Sequence, residues 1–477
     1  MRAVFPKGNG PSLCLRSKMN EFIRPLRARS LTDSDFTAGA APTSTQVKTR
    51  DLKTWNFDAD LQSLQEAYDA NGSPMSVNFR ALVPLGSGVD RATHLFHSYP
   101  AKLLLNIPLF FINCTKYSRP NDLVYDPFSG SGTVLVEALL AGRRAMGADA
   151  NPLARLIAKA KTTHLTSNII TAALDAVISD VDAARQVSFT TTIKKDIWFS
   201  EAVLSSLGSL LYSIRNNTTG SVLDFFEACF SACVKKVSVS DPRLSVPVRL
   251  KGEALEKHII HSPDLIEHFK KVVMANCARL SKMPEGCISK IYTDARQHHL
   301  DGEAKADLII TSPPYAGAQK YIRASSLSIG WLGMAPANQL RELEKLNIGR
   351  EHFCKSDYNA ESASVVSSAV EVLKKIKAVN PLRAHIAVTY LREMDNAAEN
   401  IVSRLRQNGH LVLVVGDNMI CGHNFSTSQF VKDIFSRKGL TTTLELVDDI
   451  RSRGLMTKRN KTAGTIEREH VIVFQKR

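Results

Sequence analysis

Short apolar runs alternate with stretches of helical period along most of this chain. Leu123, Val124 and Tyr125 form an apolar run that reads as a short buried strand ended by Asp126 and Pro127. Gly130 and Gly132 make a tight turn, and from Thr133 onward Val134, Leu135, Ala138 and Leu139 fall on one helical face. A second strand is expected from Arg144 to Asp149, followed by a helix opened by Asn151-Pro152 and carried by Leu153, Leu156 and Ile157. Further strands are expected from Ser289 to Asp294, over Leu308–Ile310, from Leu411 to Gly416, and at Leu444–Ile450 and His470–Phe474, the last two as a closing antiparallel hairpin. Helical spacing recurs at 325–332, 361–378, 383–406 and 425–435. Strands alternating with helices predict an α/β fold on a mostly parallel sheet.

The alternation breaks once. Residues 162–288 hold about 125 residues with helical spacing at Ala172–Val181, Leu204–Leu211, Val222–Val234 and Leu265–Leu280, around a proline-broken basic loop at 238–251. The organisation is therefore read as an arm at 1–50, a first sheet half with a helical lead-in at 51–161, in which Leu61, Leu64 and Ala67 share a face, the helical insertion at 162–288, and a second sheet half at 289–477. The insertion is a candidate for target recognition, with a structural cap or dimer face as the alternative.

Charge adds a partner to this picture. The net charge is +15; residues 1–50 hold nine Lys/Arg against three acids, and residues 451–477 eight against two. Clustered positive charge suggests a polyanion, most simply nucleic acid. No apolar run reaches the roughly 18 residues of a membrane span. The eight cysteines form no CxxC and find no His pair at zinc spacing, so no metal is expected and buried thiols in a reducing cytoplasm are.

The glycine turn lacks the Lys-Ser/Thr of a phosphate-binding loop and the Gly-x-Gly-x-x-Gly of a dinucleotide site. Asp126 at the strand end repels phosphate and suits a cofactor carrying an amine, which points to S-adenosylmethionine. Asp149, about twenty residues beyond the glycines, stands where an acid can accept both ribose hydroxyls. The octapeptide Asp126-Pro127-Phe128-Ser129-Gly130-Ser131-Gly132-Thr133 resembles the cofactor motif of amino-directed DNA methyltransferases. That resemblance implies a class I, Rossmann-like, mostly parallel seven-stranded sheet with a helical insertion. It implies cofactor contacts from Asp126, Phe128, Gly130, Gly132, Thr133, Asp149 and Asn151, and from Asp294 and Thr311 at later strand ends. The segment from His94 to Lys102 resembles a His-x-Tyr-Pro-Ala-Lys segment of one subset, in which His97, Pro100 and Lys102 would wall the methionine end.

Thr311 is followed by Ser312-Pro313-Pro314-Tyr315. The prolines stiffen the loop and offer carbonyls without competing N–H donors. An aromatic base amine is a poor nucleophile; acceptors on its two N–H bonds favour the pyramidal, reactive form. The Ser312 hydroxyl and Pro313 carbonyl are assigned to that task, with Pro314 in the same loop and Tyr315 stacking on a flipped base. The tetrapeptide resembles that of cytosine-N4 DNA methyltransferases, adenine-N6 enzymes more often carrying Asp first. Carbon-5 methylation is disfavoured because no cysteine follows a proline. Lys320 and Arg323, and Arg451, Arg453, Lys458, Arg459 and Lys461 in a basic loop, are candidate DNA contacts. Cytosine N4 is thus favoured over adenine N6; a transfer-RNA guanine-N2 type RNA enzyme is the alternative of another class, and a binder with a vestigial site a further one. DNA is the expected partner and a cognate restriction endonuclease a candidate one.

Overall fold

The computed structural model describes residues 55–83, 85, 90–100, 102–181, 194–260, 264–287, 289–297, 304–317, 321–336, 339–358, 366–450 and 466–477. The basic arm at 1–50 and the basic loop at 451–461 lie outside the described residues. Strands are β1 (Met75–Ser76), β2 (Leu123–Asp126), β3 (Arg144–Ala148), β4 (Ser289–Tyr292), β5 (Ala306–Thr311), β6 (Leu405–Val415), β7 (Asn418–Ile420), β8 (His423–Phe425), β9 (Leu440–Asp449) and β10 (Arg468–Lys476).

Among the described residues the main sheet has eight strands in the order β1-β9-β10-β6-β5-β2-β3-β4, and β7 pairs with β8 apart from it. The sequence led to an expectation of seven. The eighth is β1, two residues pairing parallel to β9 through Met75 and Leu446, too short to leave any periodicity. The pairings β2–β3, β2–β5, β3–β4 and β5–β6 are parallel, and β10 runs antiparallel between β6 and β9. The sheet thus reverses its strand order between β2 and β5, the place where α/β sheets open a crevice at their carboxyl ends.

Period two decides which side chain faces which layer. Leu308, Ile310, Val412 and Val414 belong to one hydrophobic cluster, while Ile309, Leu411, Leu413 and Val415 belong to the other. The second cluster is closed by the helices Val370–Val379, Pro381–Arg404 and Thr427–Arg437. The first takes the helices Thr133–Leu140 and Pro152–Thr162 together with those of the 162–288 stretch. That stretch folds as helices Ser167–Asp180, Glu201–Asn217, Gly220–Val234, Glu253–Ile260 and Leu265–Leu280. Its Phe225, Phe226, Phe230 and Phe269 are fully buried in the same cluster as Val134 and Ile157. The lead-in helix Phe57–Asn71 buries Phe57 and Leu61 and packs Leu64 and Tyr68 on the core; Ala67, expected on that face, is exposed, because Tyr68 takes the next inward turn.

One buried acid fastens the helix after β2. The Glu137 carboxylate, 1% exposed, accepts two hydrogen bonds from Arg91 at 2.8 and 2.9 Å and one from His94 Nε2 at 2.8 Å. Removing one partner of such a buried set strands the others without compensation. Glu137→Ala is therefore expected to cost about 3 kcal/mol, seen as a lower urea midpoint at unchanged slope; a loss under about 1 kcal/mol would mean that the group behaves as a surface ion pair.

Candidate active site

β2 and β5 pair through Val124–Leu308 and Tyr125–Ile309, which brings Asp126 beside Thr311. Thr311 Oγ1 donates to Asp126 Oδ1 at 2.6 Å, and the Phe128 amide donates to the same oxygen at 3.1 Å. The glycine turn is then stitched to the end of β3. Ser129 N donates to Ala148 O at 2.9 Å and Gly130 N to Asp149 Oδ2 at 2.9 Å. Gly130 and Gly132 both have positive φ, at 48° and 81°, and a Cβ on Gly132 would meet Ala158 at 3.1 Å. These glycines allow both the turn and the close seat of the next helix.

Past this junction lies a hollow with about 580 Å³ of empty space, part of it open to solvent. Phe128 and Gly130 line it from the glycine turn, Asp149 and Ala150 from the end of β3, and Asp294 and Ala295 from the end of β4. Ser312 and Pro314 line it from the end of β5, with Tyr99, Tyr321 and the segment 346–348 completing the wall. A second hollow of about 410 Å³ shares Tyr321, Asn347 and Ile348 with the first and is edged by Arg323, Arg350 and Glu351.

The expected site residues fall into three groups. Phe128, Gly130, Asp149, Asp294, Ser312 and Pro314 share the first hollow. Asp126, Thr311, Gly132, Thr133 and Asn151 are buried beneath it. Asn151 caps the helix Pro152–Thr162 through the Leu153 amide and donates to Tyr99 Oη at 3.0 Å and Ser325 Oγ at 3.2 Å. The third group points elsewhere. His97 Nε2 meets Ser231 Oγ at 3.0 Å in the helical insertion, and Lys102 Nζ donates to the carbonyls of His94 and His97 at 3.0 and 2.6 Å. Neither these two nor Pro100 lines the hollow, because the segment turns only the ring of Tyr99 toward Gly130.

Tyr315 is likewise outside the hollow's wall. It is 8% exposed, and its hydroxyl donates to Glu469 Oε1 on β10 at 2.9 Å, so the ring sits under the loop and is not offered as a stacking face. Pro313 is buried, and Arg323 is exposed on the rim of the second hollow. Lys320, Arg451, Arg453, Lys458, Arg459 and Lys461 lie outside the described residues. Sequence reasoning missed Tyr99, although the quoted segment contains it, and Leu346–Ile348, which carry no chemical signature.

The hollow fits S-adenosylmethionine by its donor set. Asp149 takes backbone donors on both oxygens, from Gly130 at 2.9 Å and Asn151 at 2.7 Å, and keeps lone pairs for hydroxyls. Asp294 is gripped by Arg296 through both oxygens, which fixes its position and offsets its charge. Phe128, Tyr99 and Ile348 supply apolar faces for a flat ring system. The fold and this cleft define an S-adenosylmethionine-dependent methyltransferase of class I architecture. A family model described as a DNA methylase, N6_N4_Mtase, matches residues 86–160, the stretch holding the glycine turn and Asp149. Over 428 residues, 83% of this chain and 93% of the relative, the sequence is 24% identical to the Type II methyltransferase M.MvaI of Kocuria varians. Together these two matches support the family of N4- and N6-directed DNA methyltransferases for the chain. Among solved structures, a TehB-like SAM-dependent methyltransferase from Corynebacterium glutamicum aligns at TM-score 0.26 and 10% identity, covering 87% of this chain and all of that one. The rRNA methyltransferase aviRa of Streptomyces viridochromogenes aligns at TM-score 0.29 and 11% identity, covering 84% of this chain and 96% of that one.

Burial pushes the Asp126 carboxyl up to about 7, against the opposing pull of its two donors, and pushes Asp149 up to about 6. The unfolded chain releases these protons near pH 4, the folded protein later. Their contribution to stability is therefore greatest below about pH 4 and declines as pH rises toward 7. Cofactor-free protein is expected to lose stability between about pH 4 and 7, and Asp126→Asn to flatten that decline, measured by chemical denaturation across the range. An undiminished decline in the variant would place its source in other groups.

Proposed function

We propose that the chain transfers a methyl group from S-adenosylmethionine to the exocyclic N4 of a cytosine flipped out of duplex DNA. The observation that carries this is the shared wall: Ser312 and Pro314 line the same hollow as Phe128, Gly130 and Asp149. S-adenosylmethionine supplies a methyl group activated on a sulfonium. Phe128, Gly130, Asp149 and Asp294 hold the nucleoside part, while Ser312 Oγ and the Pro313 carbonyl accept the N–H bonds of the target amine and orient its lone pair. Tyr321, on the seam of the two hollows, is the aromatic face for the base. Serine ahead of the two prolines favours cytosine N4, with adenine N6 the alternative. Arg323 on the rim, with Lys320 and the basic loop 451–461, contacts phosphates, and the 162–288 helices with their basic loop read the target sequence.

The likeness to a Type II methyltransferase supports a place in a restriction-modification pair, acting on cytoplasmic DNA beside a cognate endonuclease. Among the described residues no helix is long and apolar enough to cross a membrane.

The test is to supply labelled cofactor with duplex DNA and, separately, transfer RNA, and to identify the labelled nucleoside by mass spectrometry. N4-methylcytosine from DNA is expected. N6-methyladenine would move the chemistry to the alternative base, and label in RNA alone would overturn the substrate class. Ser312→Ala is expected to lower the rate by on the order of 10²-fold with cofactor affinity retained.

A further inference from the structure

The two hollows share a wall, and a buried charge network stands behind it. Asn347 and Ile348 line both hollows, and Leu346 lines the first. The preceding helix Leu340–Lys345 buries none of its residues, so it gives the wall little support. Arg296 holds the near end. Its Nη2 donates to Leu346 O at 2.6 Å and to Asp294 Oδ2 at 2.7 Å, and its Nε donates to Asp294 Oδ1 at 3.0 Å. Asp294 is itself part of the first hollow. Arg350 stands at the far end, on the edge of the second hollow, with its guanidinium 4.6 Å over the Phe353 ring.

Both arginines converge on one atom. Glu393 Oε1 lies 3.5 Å from Arg296 Nη1 and accepts a hydrogen bond from Arg350 Nη1. The Glu393 side chain is 13% exposed and each arginine 20%, so solvent screens these pairs less than it screens surface pairs. Glu393 sits on the helix Pro381–Arg404 between Leu391 and Met394, both buried in the second cluster, so the anchor belongs to the core and not to the wall. Burial raises the Glu393 carboxyl above its usual range, and Arg350 and then Arg296 pull it back.

We propose that Glu393 is a positioning residue that couples the two hollows, because the oxygen it divides between Arg296 and Arg350 makes occupancy of one hollow favour occupancy of the other. The inference rests on the reading of the first hollow as the cofactor seat and of the second as the side where the target nucleotide arrives. Asp294, when it accepts hydrogen bonds from a cofactor, holds Arg296 less strongly. Arg296 then leans on Glu393 Oε1, which loosens its hold on Arg350. Arg350 is thereby released toward a phosphate of the target nucleotide in the second hollow. In the reverse direction, Arg350 drawn onto phosphate leaves Glu393 to Arg296, and Asp294 is freed for the cofactor. Linkage requires the same factor in both directions.

The test is equilibrium dialysis of S-adenosylhomocysteine, which does not donate a methyl group, with and without saturating unmethylated duplex DNA long enough to hold the target whatever its sequence. Wild-type protein is expected to bind it about tenfold tighter with DNA. Arg350→Gln leaves Glu393 to Arg296 alone. It is expected to bind without DNA about as tightly as wild type does with it, and to gain nothing further from DNA. A merely structural role for Arg350 would weaken binding instead. Glu393→Gln, with Arg296 thrown back onto Asp294, is expected to bind more weakly than wild type and to lose the effect of DNA. Should E393Q not fold, R350Q decides alone. Wild-type affinity indifferent to DNA, or an R350Q no tighter than wild type in its absence, would overturn the coupling; the site assignment would stand so long as wild type still methylates DNA. Failure of wild type to bind S-adenosylhomocysteine or to methylate DNA would overturn both.

Discussion

The hydrogen bond from Thr311 to Asp126 is the constraint on which the site depends. Two parallel strands end side by side, and beyond that point each chain departs into a loop with different chemistry. At 2.6 Å, with Asp126 4% exposed and Thr311 fully buried, the bond fixes the distance at which those loops begin. The same carboxylate oxygen also takes the Phe128 amide, so one atom positions the first residue of the glycine turn as well as the strand that carries Ser312. A buried carboxyl is expensive in isolation. Here it has two donors, and its ionisation is tuned rather than abolished.

The walls of the hollow lean on the helices of the 162–288 stretch. Asn151 joins Tyr99 to Ser325, and thus the segment before β2 to the helix Tyr321–Trp331. That helix is held in turn by Ser328 Oγ on the Ser231 carbonyl at 3.2 Å and by Trp331 packed edge-on against Phe199 and Phe230. A truncation of these helices would therefore expose fully buried aromatic rings and release the seat of Tyr321, whatever the exposed Arg249 and Lys251 of the basic loop contact. Recognition and support need not be separate parts of the chain.

Much of this was legible in the sequence, for reasons that differ by residue. The strand–turn–helix at 123–140 is written in local terms: an apolar run, two glycines and a helical face. The same holds for Leu308–Ile310 with the double proline. Roles that depend on what lies across a distant crossover were not legible. Nothing in the spacing of His97 or Lys102 says that the segment turns Tyr99 to the glycines and His97 to Ser231, 134 positions away. Nothing local tells Tyr315 that β10 will bring Glu469 beneath it, 154 positions on. Stacking and hydrogen bonding are both ordinary uses of a tyrosine, and only the third dimension chooses between them. The two-residue β1 carries no period at all, so the count of strands was open until the edge of the sheet was seen.

Charge completes the account of why this crevice takes one kind of cofactor. A site for ATP or a dinucleotide places backbone amides and a lysine on phosphate. Here the Gly130 amide is already spent on Asp149, the Phe128 amide on Asp126, and the Ser129 amide on Ala148. The turn has directed these three donors inward, onto the protein's own oxygens. What it presents outward is carboxylate, at Asp149 directly and at Asp294 moderated by Arg296. A phosphate entering that space would meet like charge, whereas a cationic sulfonium and an ammonium would meet a favourable field. The inward use of those amides rigidifies the turn, so selection of the cofactor and rigidity of the site arise from the same hydrogen bonds.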